Sequence, residues 1–561
     1  MSLQIENLSY QYPKQEGWAL RNVSLKVEKG EFIVLTGPSG CGKTTLALVI
    51  VGYIPHVIER GKLRGRVVVE GVEPRKVELH RMTQIVNVVL QNPEDQLFAL
   101  TVEEDVAFGP ENLALPKEEI SRRIKKAMMD AGVWHIKDRE IFTLSGGQKQ
   151  RTAIAGVLAM EPKILIFDEP TSDLDPQGAQ SVLKVIKDIQ KKRDVTVILI
   201  EHRLDEVSQY ADRIILMDEG RIILDEPPEK AYRKATEFLK RGVRPPQVTE
   251  VVVKFSSELP EKVPVTLEEA AKYLTSLRGK RKYPKPLPPK TLKTSDSIVR
   301  FEDVWVKYPD GTVAVKGVSF SVYRNELLAI IGRNGSGKTT LTRLLIGVLK
   351  PWKGKVYVKD MDVSKVGLRD LVKVVGYVFQ NPDHQLFTNT VWDELSIGPR
   401  AMGLPPEEVE KRVREVLEML DLVGFEKRHP QALSRGQKRR LAVATVLTMR
   451  PEILVLDEPT TGQDWGHVVE MMNLVRKLVD EWGLTAIVIT HDMRVVAEYA
   501  NRVVLMEDGK VLFEADPREA FNRPELAETS ISPPYIYRLA GEVFTDKPPV
   551  LTVEEFIEGL K

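Results

Sequence analysis

The sequence predicts an α/β chain of two tandem units, each organised round a strand–loop–helix turn and a buried parallel sheet. Three observations carry that prediction. Gly37-Pro38-Ser39-Gly40-Cys41-Gly42-Lys43-Thr44 fits G-x-x-x-x-G-K-[ST] between strand-like residues 32–35 and helix-like residues 45–50. It returns as Gly332-Arg333-Asn334-Gly335-Ser336-Gly337-Lys338-Thr339 after the apolar residues 327–331. Downstream of each loop, short apolar runs end in acids or histidine, the pattern of strands covered on both faces. A chain of 561 residues also exceeds what one hydrophobic core can organise.

Each loop reads as a phosphate cradle. Its glycines let backbone N–H groups converge on phosphate oxygens, and the helix that follows adds partial positive charge. Gly37, Ser39, Gly40, Gly42 and Thr45 line the first cradle, where Lys43 reaches the β/γ-phosphates and Thr44 is a ligand for Mg²⁺. Gly332, Asn334, Gly335, Gly337, Lys338, Thr339 and Thr340 repeat the set. A chance Gly-rich turn does not recur in the same context.

Upstream of the loops, Tyr12 and Tyr308 occupy corresponding places, as base-stacking rings or as strand aromatics of the core. Downstream, Gln91-Asn92-Pro93-Glu94-Asp95-Gln96-Leu97-Phe98 returns 289 residues later as Gln380-Asn381-Pro382-Asp383-His384-Gln385-Leu386-Phe387. Asn-Pro starts a loop, and its Leu-Phe pair serves either a local mini-core or a groove for a partner. Leu144-Ser145-Gly146-Gly147-Gln148, before a helical run, makes a second anion-binding helix start; its counterpart is Leu433-Ser434-Arg435-Gly436-Gln437. The runs ending in Asp168-Glu169 and Asp457-Glu458 read as buried strands with two acids, one for Mg²⁺ and one for a water, because neighbouring side chains on a strand point opposite ways. Two more runs end in His202 and His491, placed to contact a γ-phosphate.

Past residue 243 the phosphate pattern stops but the repeat continues. Pro245-Pro246-Gln247-Val248 and Thr266-Leu267-Glu268-Glu269 resemble Pro533-Pro534-Tyr535-Ile536 and Thr552-Val553-Glu554-Glu555. The expected organisation is a first nucleotide domain (residues 1–243), its small appendage (244–279), a Pro/Lys-rich linker (280–297), a second nucleotide domain (298–530) and its appendage (531–561). The linker reads as an extended, solvated spacer rather than a nucleic-acid patch. With 81 Lys and Arg against 80 Asp and Glu, no global charge draws the chain to nucleic acid or anionic lipid. One cysteine, Cys41, excludes a disulfide framework or a Cys-rich metal site and suits a reducing compartment. The opening residues carry no signal-peptide pattern. No apolar stretch approaches the roughly 18 residues of a membrane span.

The order of phosphate loop, Gln loop, Leu-Ser-Gly-Gly-Gln, strand-Asp-Glu-Pro and strand-His resembles the ATP-binding cassette family over nearly the whole chain, twice. The resemblance implies a P-loop core with an antiparallel β subdomain and a helical subdomain in each half. It implies ATP hydrolysis at two sites formed head to tail, each nucleotide lying between one half's phosphate loop and the other half's signature, Ser145, Gly147 and Gln148 or Ser434, Gly436 and Gln437. Thr44, Asp168 and Gln91, and Thr339, Asp457 and Gln380, would serve Mg²⁺; Glu169 and Glu458 would polarise the attacking water; His202 and His491 would steady the γ-phosphate. Within the family, the Gln-Asn-Pro loops and appendages are similar to ATPases of energy-coupling factor importers for vitamins or transition-metal ions. That implies a membrane scaffold (T-type) subunit and a substrate-capture (S-type) subunit, no nucleic acid, and a place on the cytoplasmic face of the membrane, with Leu97-Phe98 and Leu386-Phe387 as docking surface.

Arg435, where the first copy has Gly146, predicts two unequal sites, and Thr461-Gly462-Gln463-Asp464 departs from Ser172-Asp173-Leu174-Asp175. A fused two-cassette sugar-importer ATPase is the nearest alternative; its kind often has one degenerate site, whereas Lys, Asp, Glu and His occur here in both. A twin-cassette translation or ribosome factor calls for a long charged arm or a Cys-rich cluster, which this sequence lacks.

Overall fold

The computed structural model describes residues 1–13, 15–284, 287–288, 296–529 and 531–561. The chain divides into two compact units, Met1–Gly279 with Asp464–Gly466, and Lys280–Gln463 with His467–Lys561.

In the first unit the strands are β1 (Leu3–Gln11), β2 (Leu20–Val27), β3 (Phe32–Thr36), β4 (Lys62–Val69), β5 (Val86–Val89), β6 (Ile164–Asp168), β7 (Thr196–Ile200), β8 (Arg213–Asp218) and β9 (Arg221–Glu226). β2-β1-β4 form an antiparallel sheet, and β5-β6-β7-β3-β8-β9 form a six-stranded sheet, parallel except for the β8/β9 hairpin. Strand β3 shows why its sequence lacks alternation. Phe32 and Val34 enter a core shared with the helical segments, while Ile33 and Leu35 enter a second core under the antiparallel sheet. Period-two geometry thus feeds two buried faces. The helices Val102–Asn112, Lys117–Asp130 and Gly146–Ala159 form the helical part, the first started by a capping box between Thr101 and Glu104.

The second unit repeats the plan with β10 (Ser297–Lys307), β11 (Val313–Tyr323), β12 (Leu327–Gly332), β13 (Lys353–Val358), β14 (Met361–Asp362), β15 (Val375–Val378), β16 (Ile453–Asp457), β17 (Thr485–Ile489), β18 (Arg502–Glu507) and β19 (Lys510–Ala515). Its sheets run β11-β10-β13-β14 and β15-β16-β17-β12-β18-β19. Both units therefore have the α/β architecture expected, an antiparallel sheet beside a mainly parallel one. In each, the strand bearing the phosphate loop lies centrally, so the C-terminal strand ends gather the loop, the acids and the histidine at one edge.

Each appendage is a helix pair, Gln247–Phe255 with Leu267–Arg278 and Tyr535–Val543 with Val553–Leu560. Thr266 and Thr552 cap the second helix of each pair by accepting from Glu269 and Glu555 N–H. In the described part of the linker Lys280, Lys282, Pro284 and Pro288 are exposed, but two side chains dock on the second appendage. Ser297 already belongs to β10. Tyr283 packs edge-on to Phe544, its hydroxyl donates to the Glu555 carbonyl at 2.7 Å, and the Arg281 guanidinium donates to the Gly559 carbonyl at 3.1 Å. A large aromatic that can bury its ring and satisfy its hydroxyl outweighs the preference of Pro and Lys for solvent. Residues 285–286 and 289–295 lie outside the description.

Candidate functional site

Both phosphate loops leave their strand and enter a helix at a glycine in the left-handed region, Gly42 at φ 104° and Gly337 at φ 95°. Only glycine serves there twice over, because a Cβ would also stand 2.5 Å from the Ala19 carbonyl or 2.4 Å from that of Ala314. Inside each cradle the lysine is folded over its own loop. Lys43 Nζ donates to the Gly37 and Pro38 carbonyls, both at 2.9 Å, and Lys338 Nζ donates to those of Gly332 and Arg333 at 2.8 and 2.7 Å. A buried ammonium held by neutral carbonyls exchanges readily for anionic phosphate oxygens, with which its bonds are charge-assisted on both sides. Gly37, Ser39 and Gly40, and Gly332, Asn334 and Gly335, belong to the loops that lead to these lysines.

The threonine after each lysine meets the aspartate of the neighbouring strand end. Thr44 stands beside Asp168 and favours its charged form, and Thr339 Oγ1 donates to Asp457 Oδ1 at 3.1 Å. Burial pushes the Asp168 carboxyl up to about 6, with the Thr44 bond and Lys43 opposing, and burial likewise raises Asp457. One hydroxyl and one carboxylate per cradle, poised beside the phosphate loop, is a donor set that fits Mg²⁺, which takes few protein oxygens and completes its shell with water and phosphate.

The glutamates turn away from these aspartates by a route different from strand alternation. Glu169 (φ 46°) and Glu458 (φ 50°) lie just past the strands, in left-handed backbone. Non-glycine residues hold that conformation where surrounding contacts impose it, commonly at functional sites. Here the imposing contact is the N–H of each glutamate donating to the adjoining strand, to Ile200 at 3.0 Å or Ile489 at 2.9 Å. His202 Nε2 lies 2.9 Å from Glu169 Oε1, and Gln91 Nε2 donates to Glu169 Oε2 at 2.7 Å. In the second unit His491 Nδ1 lies 2.8 Å from Glu458 Oε2. Burial pushes that carboxyl up, but the His491 and Lys338 charges outweigh it and hold Glu458 below its ordinary value.

The two Gln loops are not equivalent. Gln91 reaches the glutamate, whereas Gln380 is exposed and contributes its backbone carbonyl, which accepts from Arg439 Nη2 at 2.8 Å. Tyr12 and Tyr308 each place a hydroxyl against the helix just after the loop, on Thr45 at 3.1 Å and on Thr340 at 2.9 Å. Their rings thus stand beside the cradles, and that of Tyr12 also packs edge-on against Tyr10. In the signatures, Ser145 and Ser434 are helix N-caps, and Gln148 and Gln437 close capping boxes by accepting from the serine N–H at 3.0 Å each. These glutamines hold the helix start, so Gly147 and Gly436 present their backbone in a first turn with orphan N–H groups. Arg435 is the first residue of the second signature helix; its side chain lies outside the described residues.

Each Leu-Phe pair splits between interior and surface. Leu97 and Leu386 are buried, but Phe98 is 65% and Phe387 76% exposed. Asp105 accepts from the Phe98 and Ala99 N–H groups, and Glu394 from those of Phe387 and Thr388, which pins each loop with its phenylalanine outward. Phe98 stacks edge-on against Phe108 at 4.6 Å, and the exposed Leu100 and Phe142 continue the apolar surface.

Two groups went unnoticed in the sequence. Tyr377 donates to Asp457 Oδ2 at 2.9 Å, and Arg439 ties three backbone carbonyls. Their signal was the contrast between halves: Val88 and Gln150 stand at the matching positions.

Comparison with known proteins agrees with this geometry. The family model described as ABC transporter matches residues 20–172 and 315–461. A provisionally named ABC transporter ATP-binding protein of Methanosarcina mazei is 44% identical over 100% of this chain and 97% of its own length. A provisionally named HMP/thiamine import ATP-binding protein of Bacillus subtilis is 36% identical over 93% of this chain and 92% of its own. Among solved structures, cbiO1 from Clostridium perfringens, titled part of the ABC transporter complex cbiONQ, is 38% identical, covers 42% of this chain and 94% of its own, and has a TM-score of 0.39. With the family model matched in both halves and relatives aligned end to end, the chain belongs to the ABC transporter family, as an ATP-binding ATPase whose cassette occurs twice.

Proposed function

We propose that this ATPase is the energy-coupling subunit of an importer of the energy-coupling factor type, taking up a vitamin or a transition-metal ion from the cytoplasmic face of the membrane. The observation that carries the reading is the pairing of an outward phenylalanine with each Gln loop, Phe98 beside Gln91 and Phe387 beside Gln380. Exposed apolar groups on a pinned loop suit a partner surface, and Gln91 ends on the glutamate of the hydrolytic site. A push on the loop is thereby felt at Glu169. No helix among the described residues is long and apolar enough to cross a membrane, so the partner would supply the spans, as a T-type scaffold working with an S-type capture subunit. The relative named for HMP/thiamine import supports a vitamin-class cargo.

In this reading each ATP lies between one half's phosphate loop and the other half's signature. Lys43 and Lys338 leave their loop carbonyls for the phosphates, and Tyr12 and Tyr308 face the base. Thr44 with Asp168, and Thr339 with Asp457, would hold Mg²⁺, aided by Gln91 and Gln380, and the ion would neutralise phosphate charge. Glu169 and Glu458 orient the attacking water, His202 and His491 steady the γ-phosphate, and the signature helix N-termini stabilise charge on the transferred group. Phosphoryl transfer asks for positioning and charge stabilisation of this kind. The five segments drawn from the sequence complete the proposal, the two appendages being accessory to the nucleotide domains.

Replacing Phe98 and Phe387 together by Asp tests it. The expected result is that a small integral-membrane partner, co-purified with the unaltered chain, is lost while ATPase activity of the isolated chain persists. Retention of that partner, or co-purification with ribosomes instead, would overturn the reading.

A further inference from the structure

The two cradles differ behind their aspartates. In the second unit Asp457 is held by both oxygens, Oδ1 by Thr339 and Oδ2 by the Tyr377 hydroxyl at 2.9 Å. Tyr377 is 6% exposed and sits on β15, opposite Val455 of β16, two residues before the aspartate. Its hydroxyl lies 3.2 Å from Thr342 Oγ1, whose single proton bridges to it or to the Lys338 or Thr339 carbonyl, at 3.3 and 3.2 Å. A continuous chain of hydroxyls therefore runs from the first turn of the phosphate-loop helix to the far side of Asp457. Phe379 packs on the ring at 5.0 Å and fixes its plane. Burial, and then the Asp457 charge, push the phenol upward, so it stays a donor. In the first unit the matching positions are Val88 and Ala47, neither with a hydroxyl.

We propose that Tyr377, backed by Thr342, is a positioning residue that fixes Asp457 for the divalent cation in the second site only, so that the two sites of one chain take the cation unequally. The inference rests on the reading of Thr339 and Asp457 as the Mg²⁺ pair. Thr339 and Oδ1 would hold the cation, while the Tyr377 bond to Oδ2 would keep the carboxylate plane in place. Among the described residues Asp168 has Thr44 as its one side-chain hydrogen-bonding neighbour, so less would hold its carboxylate in place. Groups that orient a metal ligand from behind are worth about 10–100-fold in affinity.

The test uses the full chain with Lys43→Ala, which confines nucleotide to the second cradle, a non-hydrolysable ATP analogue, and Mn²⁺ binding followed by electron paramagnetic resonance. Tyr377→Phe should weaken Mn²⁺ about tenfold, with analogue affinity in EDTA unchanged. In the mirror background, Lys338→Ala, the same substitution should leave Mn²⁺ at the first cradle unchanged. Thr342→Val keeps the volume and removes the relay hydroxyl; it should weaken Mn²⁺ in the same direction, and it carries the test if Tyr377→Phe does not fold. Unchanged Mn²⁺ affinity in both variants, or equal losses in both backgrounds, would overturn the inference and leave the site assignment standing. Absence of nucleotide-dependent Mn²⁺ binding in the Lys43→Ala chain with Tyr377 intact would overturn the assignment itself.

Discussion

Arg439→Gln gives the second half the residue that the first half carries at the matching position, Gln150. Arg439 is 4% exposed; its Nη1 donates to the Pro459 and Thr461 carbonyls at 2.9 and 2.7 Å, and its Nη2 to Gln380 at 2.8 Å. It thereby joins the signature helix, the Gln loop and the turn that follows Glu458. The shorter amide can reach at most one or two of those oxygens. Each lost bond to a charged donor is worth about 1.5–3 kcal/mol, and relaxation recovers part of that, so a cost of about 3 kcal/mol is expected. For a unit of this size that lowers an unfolding midpoint by roughly 6–12 °C. The assay is thermal unfolding of the full chain followed by circular dichroism, with ATPase activity falling in parallel because Gln380 and Glu458 lose their common tether. The first half supplies the contrast. Gln150 is 2% exposed and its Nε2 finds no partner among the described residues, so Gln150→Met should cost less than about 1 kcal/mol or stabilise. A midpoint for Arg439→Gln within 2 °C of the unaltered chain, or an equal loss from Gln150→Met, would refute the tether.

Gly337→Ala, which drives a Cβ to 2.4 Å from a backbone oxygen, should destabilise the nucleotide-free chain by several degrees more than Gly335→Ala, where φ is 83° but nothing stands within 4 Å; equal shifts in a melting experiment would contradict this. Arg518 donates from Nη1 and Nη2 to the Glu555 carboxylate, and from Nε and Nη1 to the Pro288 and Pro549 carbonyls at 2.8 Å each. Arg518→Ala should therefore speed tryptic cleavage after Lys282, and an unchanged rate would show the linker is held otherwise. Glu169→Gln and Glu458→Gln should reduce ATPase activity unequally, because among the described residues only Glu169 is reached by a Gln-loop side chain; equal losses would argue for equivalent sites.

The cradles were legible because their chemistry is written in backbone requirements. Gly42 and Gly337 sit where no other residue fits, and lysine and threonine follow at fixed spacing on one helix start. The strand ends were legible for a related reason, since a strand buried on both faces shows as an unbroken apolar run. For Glu169 and Glu458 strand alternation is an incomplete reason, the left-handed turn after the strand being invisible in residue type. Tyr377 and Arg439 carry no local pattern at all. They meet Asp457 and Gln380 through sheet register and helix packing, which bring together residues 80 and 59 positions apart. The docking of Tyr283 was not legible in the linker because composition reports an average preference, whereas one ring found a slot.

The central claim is that each nucleotide is shared, one half contributing the phosphate loop and the other the signature. Ser434→Arg, which places bulk at the second signature, separates the possibilities when photoreactive ATP is trapped with vanadate and the labelled peptides are assigned by mass spectrometry. The account predicts that labelling falls beside Lys43 and persists beside Lys338. Loss of label beside Lys338, with Lys43 unaffected, would contradict it.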